Sequence, residues 1–300
     1  MTTSVSLLPI APWMFVAAIG VLGLLIGSFL NVVIHRLPLM MEHEWKSECR
    51  QLLGETQTGD EPPFNLVVPR SRCPACKAQI AAFDNIPVLS YLVLGGRCRH
   101  CGQRISLRYP AVECVSGMLA TYAACRFGVT DAGVTTSGAF AAIAAALYCW
   151  YLLALALIDY DTQLLPDSMT LPLLWFGIAC AFFGSFAPGL DSSVLGAMFG
   201  YLSLWSVYWL FKLVTGKEGM GYGDFKLLAA LGAWLGWQTL PTLILLSSAV
   251  GAVIGISLIA TGVVKRSQPI PFGPYLAIAG IVAMFWRGEL AALLSFGRTL

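Results

Sequence analysis

The chain of 300 residues is 57% hydrophobic and only 11% charged, with a net charge of +2 and a mean hydropathy of +0.75. This composition excludes an ordinary soluble globule and is typical of a protein with many membrane-spanning helices. The net charge is too small to indicate nucleic-acid binding, and the basic residues form no stripe that would favour it.

Apolar runs of membrane length follow one another along most of the chain. The first, Trp13 to Ile34, has no basic residue before it, so we predict a permanent anchor rather than a cleaved signal peptide. Seven further runs follow it, at residues 111–128, 136–158, 169–187, 192–214, 225–237, 240–264 and 272–294. The sequence therefore predicts an all-α, polytopic membrane protein with about eight transmembrane helices, the sixth being the shortest.

One long polar stretch, residues 36–110, separates the first two spans and contains ten of the 18 basic residues. If it is cytoplasmic, alternation of the spans places five more basic residues on that side and leaves Arg126, Arg287 and Arg298 for the other. The positive-inside rule favours this orientation, with both termini facing out. The predicted divisions are a first transmembrane helix at 1–35, a cytoplasmic domain at 36–110 and a helical bundle at 111–300.

Two pairs of cysteines lie in the polar stretch, in RCPACKAQI and RCRHCGQRI. Cys73, Cys76, Cys98 and Cys101 form two CxxC turns that can present four thiolates to a tetrahedral Zn(II). Four protein ligands leave no position for a catalytic water, so we predict a structural site that stabilises a small domain. Iron accepts the same ligands and is an alternative. Disulfides or free thiols are a further alternative, which the reducing cytosol disfavours.

Acidic residues occur at two places where apolar spans meet the predicted cytoplasmic side. The third span ends in LIDYDTQLLPD, which contains Asp159, Asp161 and Asp167, and the sixth begins at Asp224 in GMGYGDFK. A carboxylate at a membrane boundary is costly unless it is paired, hydrated or protonated, and by default it marks function. Two carboxyl groups brought together can share a proton, so that one activates water while the other polarises a carbonyl. The pattern predicts aspartic protease chemistry at Asp159 and Asp224.

The neighbouring residues have structural interpretations. Asp167 precedes the fourth span and is predicted to cap its helix. Asp161 is predicted to be solvated, because residues i and i+2 of a helix point apart. The glycines of GMGYGD, at 219, 221 and 223, are predicted to supply unusual backbone angles and to permit close approach of another chain, which a protease acting on an extended peptide needs.

Six motifs in one order, covering nearly the whole chain, resemble those of the bacterial type IV prepilin peptidases, a family of GxGD-type membrane aspartic proteases. They are GSFLNVVIHRLP, the two CxxC turns, DNIPVLSYLVLGGRC, ISLRYPAVE, LIDYDTQLLPD and GMGYGDFKLLAALGAWLG. The chain departs from the family pattern at Asp84, where the family commonly has Glu.

The resemblance implies a membrane aspartic endopeptidase that is also an N-methyltransferase. Such enzymes of the bacterial inner membrane cut the basic leader of type IV prepilins and type II secretion pseudopilins after a Gly, on the cytoplasmic side. They then methylate the new N-terminal residue, usually Phe, with S-adenosylmethionine. By position, Asp159 and Asp224 match the catalytic pair of the family, and the four CxxC cysteines match its metal site.

The methyl-donor site is not visible in the sequence, which has no glycine-rich fingerprint of a soluble nucleotide-binding fold. Glu113, in ISLRYPAVE, is a candidate that rests on the resemblance. An ion pair between Glu113 and Arg108 at the membrane boundary is the alternative interpretation.

Two other functions are alternatives to the peptidase. An ion- or proton-coupled transporter could bind its cation at Asp159 and Asp224. Such transporters often have inverted repeats with broken helices at matching positions, which this sequence lacks, and a tetracysteine insert is not expected in them. A structural assembly factor would need neither acidic site. The sequence therefore favours the peptidase.

Overall fold

The computed structural model describes residues 7–54, 64–184, 188–217, 219–262 and 270–290. This part of the chain is mostly helical, as predicted, apart from one short hairpin of β1 (Val129–Thr130) and β2 (Gly133–Val134). The helices are α1 (Pro12–Leu52), α2 (Leu89–Val93), α3 (Arg108–Ala123), α4 (Thr136–Thr162), α5 (Asp167–Phe182), α6 (Leu190–Thr215), α7 (Tyr222–Leu235), α8 (Leu240–Ala260) and α9 (Gly273–Phe285).

Within the described residues, four helices are long and apolar enough to cross a membrane: α1, α4, α6, and α8 together with the single 3-10 turn before it. The helices α5 and α9 are apolar but shorter. Each of the eight predicted spans overlaps one of the helices α1 and α3 to α9. The helical character of the predicted spans is therefore confirmed, while the count of eight membrane crossings stays a prediction.

Helix α1 continues well beyond the first apolar run and ends at Leu52 after 41 residues. At about 1.5 Å per residue it is about 60 Å long, twice the thickness of the hydrocarbon core. Its second half is rich in Leu, Met, Glu and Arg, which favour helix. Lys46 and Glu42, one turn apart, form an ion pair of 2.6 Å between Nζ and Oε1. The polar stretch between the first two spans therefore begins as helix.

Small residues let α1 and α3 approach closely. A Cβ atom at Gly23 would lie 2.9 Å from the Cα of Gly117, and one at Gly27 would lie 2.7 Å from the Cα of Glu113. The Ser116 hydroxyl donates a hydrogen bond of 2.5 Å to the carbonyl oxygen of Gly23. Close backbone contact and interhelical hydrogen bonds are what hold helices together where lipid removes the hydrophobic driving force.

Helix α7 is the central helix of the bundle. It packs against α5, α6 and α9, and its residues from Asp224 to Leu235 are all buried except Lys226. Glycines again permit the contact, since a Cβ atom at Gly196 of α6 or Gly232 of α7 would overlap the backbone of the other helix. With 14 residues, α7 is about 21 Å long, shorter than the hydrocarbon core. Its apolar composition therefore reflects burial in protein.

Candidate active site and metal centre

Asp159 lies in the last turn of α4 and is only 5% exposed. Its Oδ2 atom accepts a hydrogen bond of 2.9 Å from the backbone N–H of Gly273, the first residue of α9. The first amides of a helix have no partner within the helix, so they are natural donors to a carboxylate. The α9 N-terminus therefore fixes the orientation of the Asp159 carboxyl group.

Gly273 is a site residue that the sequence analysis missed. A Cβ atom at this position would lie 2.6 Å from Asp159 Oδ2, so only glycine permits the contact without movement. The signal available was FGPY at the start of an apolar run, because Pro at the first helical positions marks a helix N-terminus. Nothing in that signal indicates which side chain the amide contacts, since Asp159 lies 114 positions away.

Asp224 lies in the first turn of α7 and is 8% exposed. Its Oδ1 atom is buried and has no hydrogen-bond partner among the residues that the structure describes. The Asp159 and Asp224 carboxyl groups are close enough to interact electrostatically. A buried carboxyl oxygen without a partner is costly, and such groups are kept where chemistry needs them.

The loop between α4 and α5 brings the two acidic helix ends together. A Cβ atom at Gly223, the residue before Asp224, would lie 2.7 Å from the Cβ of Leu165 in that loop. Gly219 is equally enclosed, because its Cβ would lie 2.9 Å from the Phe211 ring. At these two positions the close neighbours belong to this chain, and the approach of another chain to the glycines stays a prediction.

The prediction of unusual backbone angles in GMGYGD was wrong. None of its glycines has a positive φ. Gly221 directly precedes α7, with a φ of −82° and a ψ of 151°, which any residue adopts. No atom of the described residues lies within 4 Å of a Cβ built there, so Gly221 faces open space one turn before the buried Asp224.

Ion pairs flank both aspartates, and one of them corrects a prediction. Asp161 is exposed to solvent, as predicted, and it also accepts two hydrogen bonds from the Arg108 guanidinium, at 2.8 and 2.5 Å. Asp167, predicted to cap α5, makes no capping hydrogen bond. Its two carboxylate oxygens each lie 2.7 Å from Nζ of Lys226. The pairs join α3 to the end of α4 and α5 to the start of α7, and so connect the four helix ends around the site.

Glu113 is 8% exposed and lies in the second turn of α3. Its Oε2 atom accepts a hydrogen bond of 2.7 Å from the backbone N–H of Val88. The alternative of an ion pair with Arg108 was wrong, because the Arg108 guanidinium binds Asp161. Val88 has a φ of 60°, which is rare for a β-branched residue, so Glu113 holds a strained loop in place.

The four CxxC cysteines form one cluster, in which every pair of sulfur atoms lies within 4.8 Å. The two turns have the same hydrogen bonds, since the N–H of Lys77 donates to Cys73 O at 2.9 Å and that of Gly102 donates to Cys98 O at 3.0 Å. Both donors have a positive φ, 58° and 70°. The spacing thus predicted two equivalent knuckles correctly.

The cluster fits a tetrahedral metal ion. A zinc–sulfur distance of about 2.3 Å implies sulfur atoms about 3.8 Å apart, and the Sγ atoms of Cys73 and Cys101 are separated by 3.8 Å. The backbone N–H groups of Cys76 and Ala75 lower the pKa of Cys73 to about 6, which favours the thiolate that a metal requires. His100, between the second pair, is exposed and is not a member of the cluster.

An apolar cavity of about 250 Å³ lies between α3 and α9. Its lining includes Phe285. Phe285 is twelve residues after Gly273 in α9, and so lies about 18 Å along the helix from the contact with Asp159. The cavity is therefore separate from the aspartates, whose carboxyl groups lie inside the packed helix ends.

The chain is similar to proteins of one family along most of its length. Residues 21–127 match the Bacterial Peptidase A24 N-terminal domain, and residues 146–256, which include Asp159 and Asp224, match the Type IV leader peptidase family.

Three similar proteins are named prepilin leader peptidase/N-methyltransferase. The one from Pseudomonas aeruginosa is 54% identical and that from Aeromonas hydrophila 55% identical, each over 93% of both chains. The one from Stutzerimonas stutzeri is 54% identical over 99% of both chains. No solved structure matches the chain.

Proposed function

The chain belongs to the type IV leader peptidase family, and on that premise we propose that it is a prepilin leader peptidase and N-methyltransferase. The observation that carries the peptidase assignment is the pair of buried carboxyl groups, Asp159 and Asp224, which come from different helices and interact. The alternative of an ion-coupled transporter finds no support in the family.

In the proposed mechanism the carboxyl groups of Asp159 and Asp224 share one proton. The ionised group takes a proton from water, and the resulting hydroxide attacks the carbonyl carbon of the scissile bond while the protonated group hydrogen-bonds to the carbonyl oxygen. Collapse of the tetrahedral intermediate breaks the carbon–nitrogen bond, and the amine leaves with a proton. The new carboxyl group remains on the leader.

The geometry gives the two groups different surroundings. One oxygen of Asp159 is held by Gly273, which orients that carboxyl group. The unpartnered Oδ1 of Asp224 is available to a water molecule or to the substrate carbonyl. Gly221 leaves open space next to Asp224, where the backbone of an extended peptide can approach. Both aspartates are at most 8% exposed, so the substrate must displace neighbouring groups to reach them.

We propose membrane-embedded prepilins and pseudopilins as substrates, cleaved after a Gly, with the active site and the tetracysteine domain facing the cytoplasm of the bacterial inner membrane. The distribution of basic residues supports this orientation. It also suits the substrate, because a prepilin leader is basic and stays on the cytoplasmic side while the apolar segment after it is embedded in the bilayer.

We propose that the tetracysteine cluster holds a structural zinc ion through Cys73, Cys76, Cys98 and Cys101. Bound zinc would join the two knuckles and replace the apolar core that the small domain lacks. The 3.8 Å separation of two sulfur atoms supports zinc, and iron with the same ligands is distinguished by metal analysis.

S-adenosylmethionine is proposed as the methyl donor, with Glu113 as the candidate residue of its site. The position of Glu113 supports this proposal, because it is a buried carboxylate that orders the DNIPV loop through Val88. A role in methylation predicts that Glu113→Gln still cleaves a prepilin but yields an unmethylated product. Loss of both activities would assign Glu113 to the general structure of the domain.

Mass spectrometry of a prepilin incubated with the purified enzyme and S-adenosylmethionine tests the function directly. We expect the leader to be removed and the mature N-terminus to gain one methyl group. The same reaction without S-adenosylmethionine is the control, and it should give cleaved, unmethylated product. An intact prepilin in both reactions would contradict the proposal.

A further inference from the structure

The segment of residues 86–94, hereafter the α2 segment, has its apolar side chains outward. Leu89, Leu92 and Val93 share one face of α2 and are 57%, 67% and 74% exposed. Ile86, three residues before α2, is 45% exposed, while the polar Ser90 of α2 is half-buried. This is the reverse of a water-soluble surface, and a contiguous exposed apolar patch marks a contact with another molecule or with lipid.

The exposed patch extends beyond the α2 segment. The N–H of Ile105 donates a hydrogen bond of 2.8 Å to the carbonyl oxygen of Gly96, and the Tyr91 hydroxyl donates one of 3.4 Å to the carbonyl oxygen of Ile105, so Ile105 lies against this segment. Leu107 is 71% exposed and immediately precedes α3. Apolar groups from two parts of the chain therefore contribute to one surface where the tetracysteine region joins the helical bundle.

The depth of the α2 segment follows from its contact with α3. Val88 is hydrogen-bonded to the carboxylate of Glu113, and Glu113 packs against Gly27 of α1. Gly27 is seven residues before Ile34, where the apolar run of α1 ends, and so lies about 10 Å inside that run. Helical side chains tilt toward the helix N-terminus, which places the Glu113 carboxylate nearer the polar end. The α2 segment thus lies at the depth where headgroups meet acyl chains.

The same end of the bundle contains the aspartates. Arg108, at the start of α3, binds Asp161, two residues after Asp159 in α4. The α2 segment, which is attached to the next turn of α3, is therefore near the level of the active site rather than projecting away from the membrane.

Charged and aromatic groups border the patch. Arg97 and Arg104 face each other in an isolated bridge, both are exposed, and neither makes an ion pair with a residue in the described part of the chain. Tyr109 is 49% exposed. An apolar face bordered by arginines and an aromatic ring is typical of elements that lie in the membrane interface, and the positive charge complements anionic lipids.

We propose that the α2 segment and Leu107 lie in the lipid interface and dock the tetracysteine domain on the bilayer beside Asp159 and Asp224. The lipid, rather than a protein partner, is favoured by the depth of the Val88 contact and by the unpaired arginines. This placement keeps the domain next to the point where the leader of an embedded substrate leaves the membrane. That last consequence rests on the proposed function, whereas the lipid contact does not.

Photo-crosslinking in nanodiscs of phosphatidylethanolamine and phosphatidylglycerol tests the lipid contact. Benzoylphenylalanine replaces Leu92 in one variant of the full chain. A variant labelled at Phe199, which is 47% exposed on the membrane helix α6, is the lipid-facing control. A variant labelled at Lys46, on the part of α1 beyond the apolar run, is the water-facing control. After irradiation, intact-protein mass spectrometry measures covalent lipid.

We expect the Leu92 and Phe199 variants to gain the mass of one phospholipid and the Lys46 variant to gain none. Absence of a lipid adduct at Leu92, with an adduct at Phe199, would overturn the proposal. A repeat with prepilin present adds a second test: persistence of the lipid adduct supports the lipid contact, and its replacement by a prepilin crosslink would reassign the patch to substrate binding. Crosslinking needs no catalysis, so its failure leaves the proposed function intact.

Discussion

At the residue scale, the site depends on how two carboxyl groups are kept in a mostly apolar bundle. Asp159 is stabilised by one backbone amide, and Asp224 has a buried oxygen without a partner in the described chain. Moving an ionised carboxylate out of water costs roughly several kcal/mol unless the group becomes protonated or hydrogen-bonded. Sharing a proton lowers that cost for the pair, and the proposed hydrolysis uses the same shared proton.

Gly273 gives the sharpest single-residue prediction. Gly273→Ala would place a methyl group 2.6 Å from Asp159 Oδ2, so the carboxyl group or α9 must move. We expect the rate of prepilin cleavage to fall by about 100-fold, as displacements of roughly 1 Å at a catalytic group commonly do, while the protein stays inserted. The measurement is the cleavage rate at saturating substrate.

Gly288→Ala is the matched control for Gly273→Ala, because no atom of the described residues lies within 4 Å of a Cβ at Gly288. It should cleave at the rate of the unmodified enzyme. Equal rates for the two variants would show that the amide of Gly273 does not orient Asp159.

At the element scale, the sequence was most informative where structure is local. The CxxC spacing predicted both knuckles, because one turn and its hydrogen bonds lie within six residues. Apolar runs predicted where the long helices begin, but hydropathy could not indicate that α1 continues through Leu52, since its second half is polar and helical. The Arg108 pair with Asp161 spans 53 positions, and no periodic pattern in the sequence reports such a contact.

The tetracysteine domain provides a test of the metal assignment. Cys73→Ser removes one of four thiolates, so we expect the zinc content to fall from about one ion per chain toward zero and the domain to become sensitive to protease. Elemental analysis by mass spectrometry measures zinc and iron together.

Cys49→Ser is the control, because Cys49 is an exposed cysteine of α1 outside the cluster, and its zinc content should not change. Unchanged zinc in Cys73→Ser would contradict the site. Iron in place of zinc would support the four cysteines as the metal site but identify its metal as iron.

At the scale of the whole molecule, the bundle is organised around α7, which is buried against α5, α6 and α9. Asp224 at its start and Asp159 at the end of α4 are brought together because α9 and the loop after α4 pack against them. The basic residues are concentrated at the same end, because ten of the 18 lie in the stretch at 36–110. The proposed active site, the tetracysteine cluster and more than half of the basic residues thus share one end of the molecule.

The orientation of the bundle is testable with a protease site inserted after Gly54, just beyond the end of α1. We expect the site to be cut in inverted inner-membrane vesicles and protected in intact spheroplasts, because the positive-inside rule places this stretch in the cytoplasm. Cleavage in spheroplasts alone would reverse the assignment.

The most direct test of the central claim is the cleavage of a prepilin in proteoliposomes by Asp159→Asn and Asp224→Asn, with Asp161→Asn as the matched control. Asn keeps the size of the side chain and removes the acid. We predict no detectable leader removal by either of the first two variants at normal protein levels, and substantial cleavage by Asp161→Asn, which loses only an ion pair at the boundary. Normal processing by either Asp159→Asn or Asp224→Asn would contradict the catalytic pair.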